Sequence, residues 1–173
     1  MSENKIDKHD RSRLKRLNLH NIWHLIALGF GSGLVPKAPG TFGSLAAIPL
    51  CMILVYLRYE VALAIIIVTF FIGWKASLEA EKALGMHDNS SIVIDEFVGM
   101  FISVLFFPSN ISLVFLAFVL FRVYDIFKPW PISFFDKKIG GGLGIMVDDV
   151  LAGIFACASA HALFYIYPQS FGL

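Results

Sequence analysis

The chain is short of charge. Lys, Arg, Asp and Glu together make up 16% of its 173 residues, and hydrophobic residues make up 57%. Soluble domains carry about 25% charged residues. A chain this apolar, with mean hydropathy +0.73, has too little polar surface for water on every side, so it reads as a membrane protein. Cysteine is scarce too. Cys51 and Cys157 both lie in apolar runs, with no metal-type spacing and no Cys-x5-Arg phosphatase loop, and read as core residues. No internal repeat or low-complexity segment occurs. The basic tail does not run into an apolar segment ending in a cleavage site, so no removable signal peptide is expected. Also missing is any long unbroken apolar run. Each is shorter than the ~20 residues that span a bilayer core, so spanning segments must tilt or borrow polar neighbours.

What is present is alternation. Apolar runs fall at residues 45–57, 61–74, 97–107, 111–121 and 150–167, with a shorter one at 22–30. Recurrent runs of this length favour helices over strands. The links at 58–60 and 108–110 are hairpin-sized. The expected fold is therefore all-α: a membrane-embedded helical bundle with two helical hairpins and a C-terminal helix. Residues 1–20 form a basic tail, with six Lys or Arg against three acids, and residues 21–173 a single domain. If each hairpin leaves and returns to one side, the long connectors 29–44, 75–96 and 122–149 meet on one face. Lys75, Lys82, Arg122, Lys128, Lys137 and Lys138 lie in or beside them, which places that face in the cytoplasm.

Nine of the chain's 14 glycines sit in the first and third of these connectors. "GFGSGLVPKAPGTFGSL" is neither a Walker A loop, since Lys37 precedes Ala38 and Pro39, nor a dinucleotide fingerprint, since no strand–turn–helix unit surrounds it. Its backbone suits either phosphate contact or close helix packing. Thr41 or Ser44 is expected to cap the next helix.

"MHDNSSIVIDEFVGM" places Asp95 and Glu96 inside an apolar stretch. An acid at the centre of a membrane helix costs about 2.5–3.5 kcal/mol, which argues for function. With Ser90 or Ser91 as N-cap, His87, Ser91 and Asp95 fall at four-residue steps along roughly one face. In the third connector Arg122 and Asp125 are three residues apart, Lys128 follows, and the adjacent pair Asp148–Asp149 opens the last apolar run.

Asp95, Glu96, Asp125, Asp148 and Asp149 on one face of a low-dielectric bundle require positive charge. Arg122, Lys128 and Lys82 are candidates to supply part of it. A hard divalent cation supplies more, and oxygen-only ligands suit Mg²⁺, which keeps waters and accepts substrate phosphate. Phosphomonoester hydrolysis, whose enzymic acceleration reaches ~10²¹, is a reaction such a site can promote, with His87, Asp88 or another acid handling the leaving-group proton.

The blocks "GFGSGLVPKAPGTFGSL", "HDNSSIVIDEFVGM", "FRVYDIFKPWP" and "GGLGIMVDDVLAG", in this order across residues 20–167, resemble the phosphatidylglycerophosphatase A family. The resemblance implies a Mg²⁺-dependent bacterial inner-membrane enzyme that takes phosphatidylglycerophosphate to phosphatidylglycerol. The implied partners are that lipid and the bilayer, with no nucleic acid; oligomeric state stays open. Its acidic motifs land on Asp95 and Glu96, on Asp125 and on Asp148–Asp149. The roles we assign on them are metal ligation by Asp95, Glu96, Asp148 and Asp149, a ligand or base role for Asp125, and catalytic proton handling by His87. Arg122, Lys128, Lys37, Thr41 and Ser44 are the expected phosphate contacts. Competing readings are a phosphatase of another lipid or polyprenyl phosphate, and a non-enzymatic transporter or scaffold. A headgroup phosphotransferase is disfavoured because D-x2-D-G-x2-A-R is missing.

Overall fold

A computed structural model describes residue 14 and residues 16–86, 89–139, 141–167 and 169. The described residues form helices and no strand. In chain order these are α1 (Ile22–Ala27), a 3-10 helix (Gly29–Leu34), α2 (Pro39–Leu54), α3 (Tyr59–Leu84), α4 (Ile94–Ser103), α5 (Ile111–Phe127), α6 (Ile132–Lys138) and α7 (Gly141–Ile166).

Local chemistry sets several of the ends. The Asn21 side chain accepts from the Trp23 N–H at the start of α1, and Asn110 accepts from Ser112 N–H at the start of α5, each satisfying a donor the helix leaves open. Pro39 opens α2, where its missing N–H costs nothing. Gly85 closes α3 in the left-handed conformation.

The bundle is organised around α4. It packs against α2, α3, α5 and α7, and nine of its ten residues are buried. At about 1.5 Å per residue it falls far short of a ~30 Å hydrocarbon core. The long helices surround it. α3 and α7, at 26 residues each, are long and apolar enough to cross a membrane by length and composition, and α2 is a shorter apolar helix. Their outer faces expose Ile53, Ile67, Val68, Phe71 and Ile154, large apolar side chains of the kind that meet lipid or another apolar surface.

Both expected hairpins are present, α2–α3 and α4–α5, followed by α7. The boundaries differ from those expected. α2 already begins at Pro39, so Thr41 and Ser44 lie inside it and do not cap it. α3 runs on through the polar sequence to Leu84, because Gly73, Ala76, Ala80 and Leu84 continue a buried face at helical spacing. α7 starts at Gly141, so the glycine-rich stretch before Asp148 is helical. α4 begins at Ile94 after Val93, with no side-chain cap. The expected Ser90 or Ser91 cap is absent because Asn89 turns the chain first, its Oδ1 accepting from the Ser91 N–H at 2.9 Å. The ladder His87–Ser91–Asp95 therefore has no helix to stand on, and His87 and Asp88 lie outside the described residues. At the N-terminal end, Leu17 is buried and Arg16 donates to the Leu84 carbonyl at 3.3 Å, so the chain joins the core before residue 21.

Candidate active site

Because the helices alternate in direction, one end of the bundle collects the N-termini of α2, α4 and α7 and the C-termini of α3 and α5. A cavity of about 360 Å³ opens there. Pro39 and Gly40 come from α2, Glu81 from α3, Asp95 and Glu96 from the first turn of α4, Asp125 from the last turn of α5 and Asp148 and Asp149 from α7. Asn89, Ser90, Ile92 and Lys128 complete much of the wall. All five acids singled out in the sequence thus converge, and Asp95, Glu96, Asp148 and Asp149 are buried.

Close helix packing sets their spacing. A Cβ on Gly153 would lie 2.5 Å from the Gly99 carbonyl oxygen, and one on Gly99 would lie 2.9 Å from the Asp149 carbonyl oxygen and strike the Phe121 ring. Small residues let the α4 and α7 backbones touch. Asp95 and Asp149 each stand four residues before these glycines, about one helical turn nearer the cavity.

The cations are already engaged. Arg122 Nη1 donates to Glu96 Oε2 at 2.6 Å and lies 2.9 Å from Asp125 Oδ2. Ser44 Oγ donates to the same Glu96 oxygen at 2.7 Å. The other oxygen, Oε1, abuts Gly40, where a Cβ would collide with it. Lys128 Nζ pairs with Asp148 Oδ2. Asp95 Oδ1 and Asp149 Oδ2 are buried without a hydrogen-bond partner among the described residues. An orphaned buried acceptor costs about 1–3 kcal/mol, more when charged. The position of Asp95 and Glu96 at a helix N-terminus offsets part of that.

Six carboxylates, Glu81 among them, against Arg122 and Lys128 leave the cavity acidic and short of positive charge. Among the described residues no three acids or histidines stand ready as a metal cage. Mg²⁺ does not require one, since it is bound by one or two carboxylates plus waters and substrate phosphate. The all-oxygen donor set and the two orphaned oxygens fit that ion.

The other expected phosphate contacts are placed differently. Lys37 is exposed and Thr41 half-buried, and neither lines the cavity. Ser44 serves Glu96. Lys82 pairs with Glu79 at 2.9 Å on the surface, and Lys75 stacks on Trp23 at 4.1 Å. Cys51 is buried and Cys157 half-buried with Sγ 3.4 Å from the Leu105 carbonyl, as core residues. Glu81, Asn89 and Ser90 were not expected in the site. Glu81 is not singled out in the sequence. The available signal was its place on the small-residue stripe of α3, beside Ser77 and Ala80.

An apolar helical bundle carrying a buried, acid-lined cavity at one end defines a membrane-type protein with a site suited to phosphate chemistry. The sequence pattern of the family Phosphatidylglycerophosphatase A matches residues 25–164. The chain is 43% identical over 164 residues to the Phosphatidylglycerophosphatase A of Escherichia coli (strain K12), covering 94% of this chain and 95% of that one. It is 44% identical over 158 residues to that of Haemophilus influenzae, covering 90% and 97%. A protein of Bacteroides thetaiotaomicron, provisionally named a phosphatidylinositol-3-phosphatase, is 40% identical over 140 residues, covering 76% and 87%. No solved structure matches. The chain belongs to the Phosphatidylglycerophosphatase A family and is a phosphatase, a phosphoric monoester hydrolase.

Proposed function

We propose that the chain hydrolyses phosphatidylglycerophosphate to phosphatidylglycerol and inorganic phosphate, with Mg²⁺ as cofactor, at the cytoplasmic face of a bacterial inner membrane that it crosses several times. The observation that carries this reading is the convergence of Asp95, Asp125 and Asp149, distant in sequence, on one cavity. Two relatives that the chain matches over nine-tenths or more of both lengths are named for this activity.

Asp95 and Asp149 would hold the ion through their orphaned oxygens, with Asp148 and Glu96 beside them. When bound, Mg²⁺ supplies charge neutralisation and polarisation of the phosphoryl oxygens. Lys128 lines the cavity, and Arg122 is bonded to two of its lining acids; both carry cationic donors for the phosphate dianion. Arg122 also keeps Glu96 and Asp125 in fixed positions. Asp125, less enclosed than the α4 pair, is placed to take the proton of an attacking water. The apolar exterior lets the lipid approach laterally with its chains still in the bilayer. The helix directions and the cationic residues at the cavity end support this topology.

Purified protein in detergent micelles should release phosphate from phosphatidylglycerophosphate in Mg²⁺, and not after chelation. A second reading, hydrolysis of another lipid phosphate, is favoured by the name of the Bacteroides relative. Competition between phosphatidylglycerophosphate and a phosphatidylinositol phosphate at equal concentration separates the two.

A further inference from the structure

A second cavity, of about 390 Å³, lies between α2 and α3, within the ~300–1,000 Å³ range of small-molecule sites. It exists because these helices share a short link yet pack little on each other; each packs on α4 instead. The result is a three-walled slot. Leu50 and Leu54 form one side, Ile65 and Ile72 the other, and Phe97 the floor. Thr69 is the one polar residue among those lining it.

The slot and the catalytic cavity stand back to back. Ser90 and Ile92 line the cavity, whereas Ile94, two residues on, lines the slot. On α2, Gly40 lines the cavity and Leu50 the slot, ten residues or about 15 Å of helix rise apart. A phospholipid covers such a separation between its terminal phosphate and its acyl chains. Phe30 also lines the slot. It is 64% exposed, adopts a left-handed backbone (φ 57°) and meets Phe97 edge to face at 6.4 Å. A bulky residue held in that conformation is strained, and such strain gathers at ligand clamps.

We propose that this slot binds one fatty acyl chain of the substrate phospholipid, with Phe30 as its clamp, while the phosphate occupies the acidic cavity. The inference rests on the lipid-phosphatase reading above and adds where the substrate's tail is held. A helix from a second copy, about 10–12 Å across with side chains, is too wide for a slot of this volume. Bulk lipid would cover the outer helix faces without preference for the slot.

The test uses phosphatidylglycerophosphate with a diazirine midway along one acyl chain, in mixed micelles with the full chain. Photolabel should concentrate on residues 50–57 and 65–72 and at Phe97, and unlabelled phosphatidylglycerophosphate should displace it where phosphatidylcholine does not. Label spread evenly over the outer helices, or displaced equally by phosphatidylcholine, means bulk lipid only and overturns the proposal. Phosphate release is measured on the same sample. Release without slot labelling removes the slot and leaves the phosphatase reading; specific slot labelling without release does the reverse. Ile53→Trp and Ile72→Trp, at exposed rim positions, should lower the ratio of kcat/KM for long-chain over dihexanoyl substrate by about tenfold, roughly two buried methylenes' worth. An unchanged ratio in both variants contradicts the proposal.

Discussion

Gly99 and Gly153 touch where α4 crosses α7, and a Cβ on Gly153 would sit 2.5 Å from the Gly99 carbonyl oxygen. The contact fixes the cavity as much as the core. Asp95 and Asp149 stand one turn beyond it on neighbouring, parallel helices, so the backbone spacing at the glycines sets the spacing of the carboxylates.

Gly153→Val therefore forces α7 away from α4. Overpacking of this kind costs about 1–3 kcal/mol, and the displaced Asp149 takes activity with it. A lowered thermal midpoint together with lost phosphate release is the expected result. Ile154→Ala, at the adjacent exposed position, should change neither by much.

Asp95→Asn and Asp149→Asn remove charge from a cavity that already holds an excess of carboxylates. Phosphate release should fall about 100-fold or more, comparable to loss of a major electrostatic contact in an active site. Stability should stay level or rise, because buried like charges are relieved. A thermal midpoint measured beside activity checks both, and a drop in both together would assign these acids to the fold instead.

Ser44 and Gly40 act through Glu96. Ser44→Ala deletes a hydrogen bond to a buried carboxylate, worth about 1.5–3 kcal/mol. A double-mutant cycle with Glu96→Gln should give a coupling of about 0.5–3 kcal/mol; additive effects would show that the contact is idle. Gly40→Ala should impair activity by pushing Glu96 off its position.

Arg122→Lys keeps the charge but changes the length and shape of the side chain whose Nη1 meets Glu96, Asp125 and Ser44 together. KM should rise and kcat should fall. Wild-type kinetics in this variant would leave Arg122 with only a charge to contribute.

Much of this architecture was legible in the sequence. The apolar runs marked the helices and the short links marked the hairpins. The cost of Asp95 and Glu96 in an apolar stretch marked the site, and parity of the helices gathered the acids on one end. What was hidden depended on packing. Glycines before Asp148 read as loop, yet they continue α7 because Gly142 and Gly144 pack against Leu78 and the Ile139 backbone. Ser44 reads as a cap until Glu96, 52 residues away, is brought to its hydroxyl. Glu81 drew no notice in the sequence, and only the packed small-residue face of α3 brings it into the cavity wall. Lys82, one residue on, faces the other way and pairs locally.

The central claim is a carboxylate cavity that needs Mg²⁺ to act on a lipid phosphate. The most direct measurement is phosphate release from phosphatidylglycerophosphate by the purified chain in EDTA, then after Mg²⁺ is restored, with Asp95→Asn alongside. Release that stops in EDTA, returns with Mg²⁺ and stays absent in the variant is the predicted outcome. Undiminished release in EDTA, or from Asp95→Asn, would contradict it.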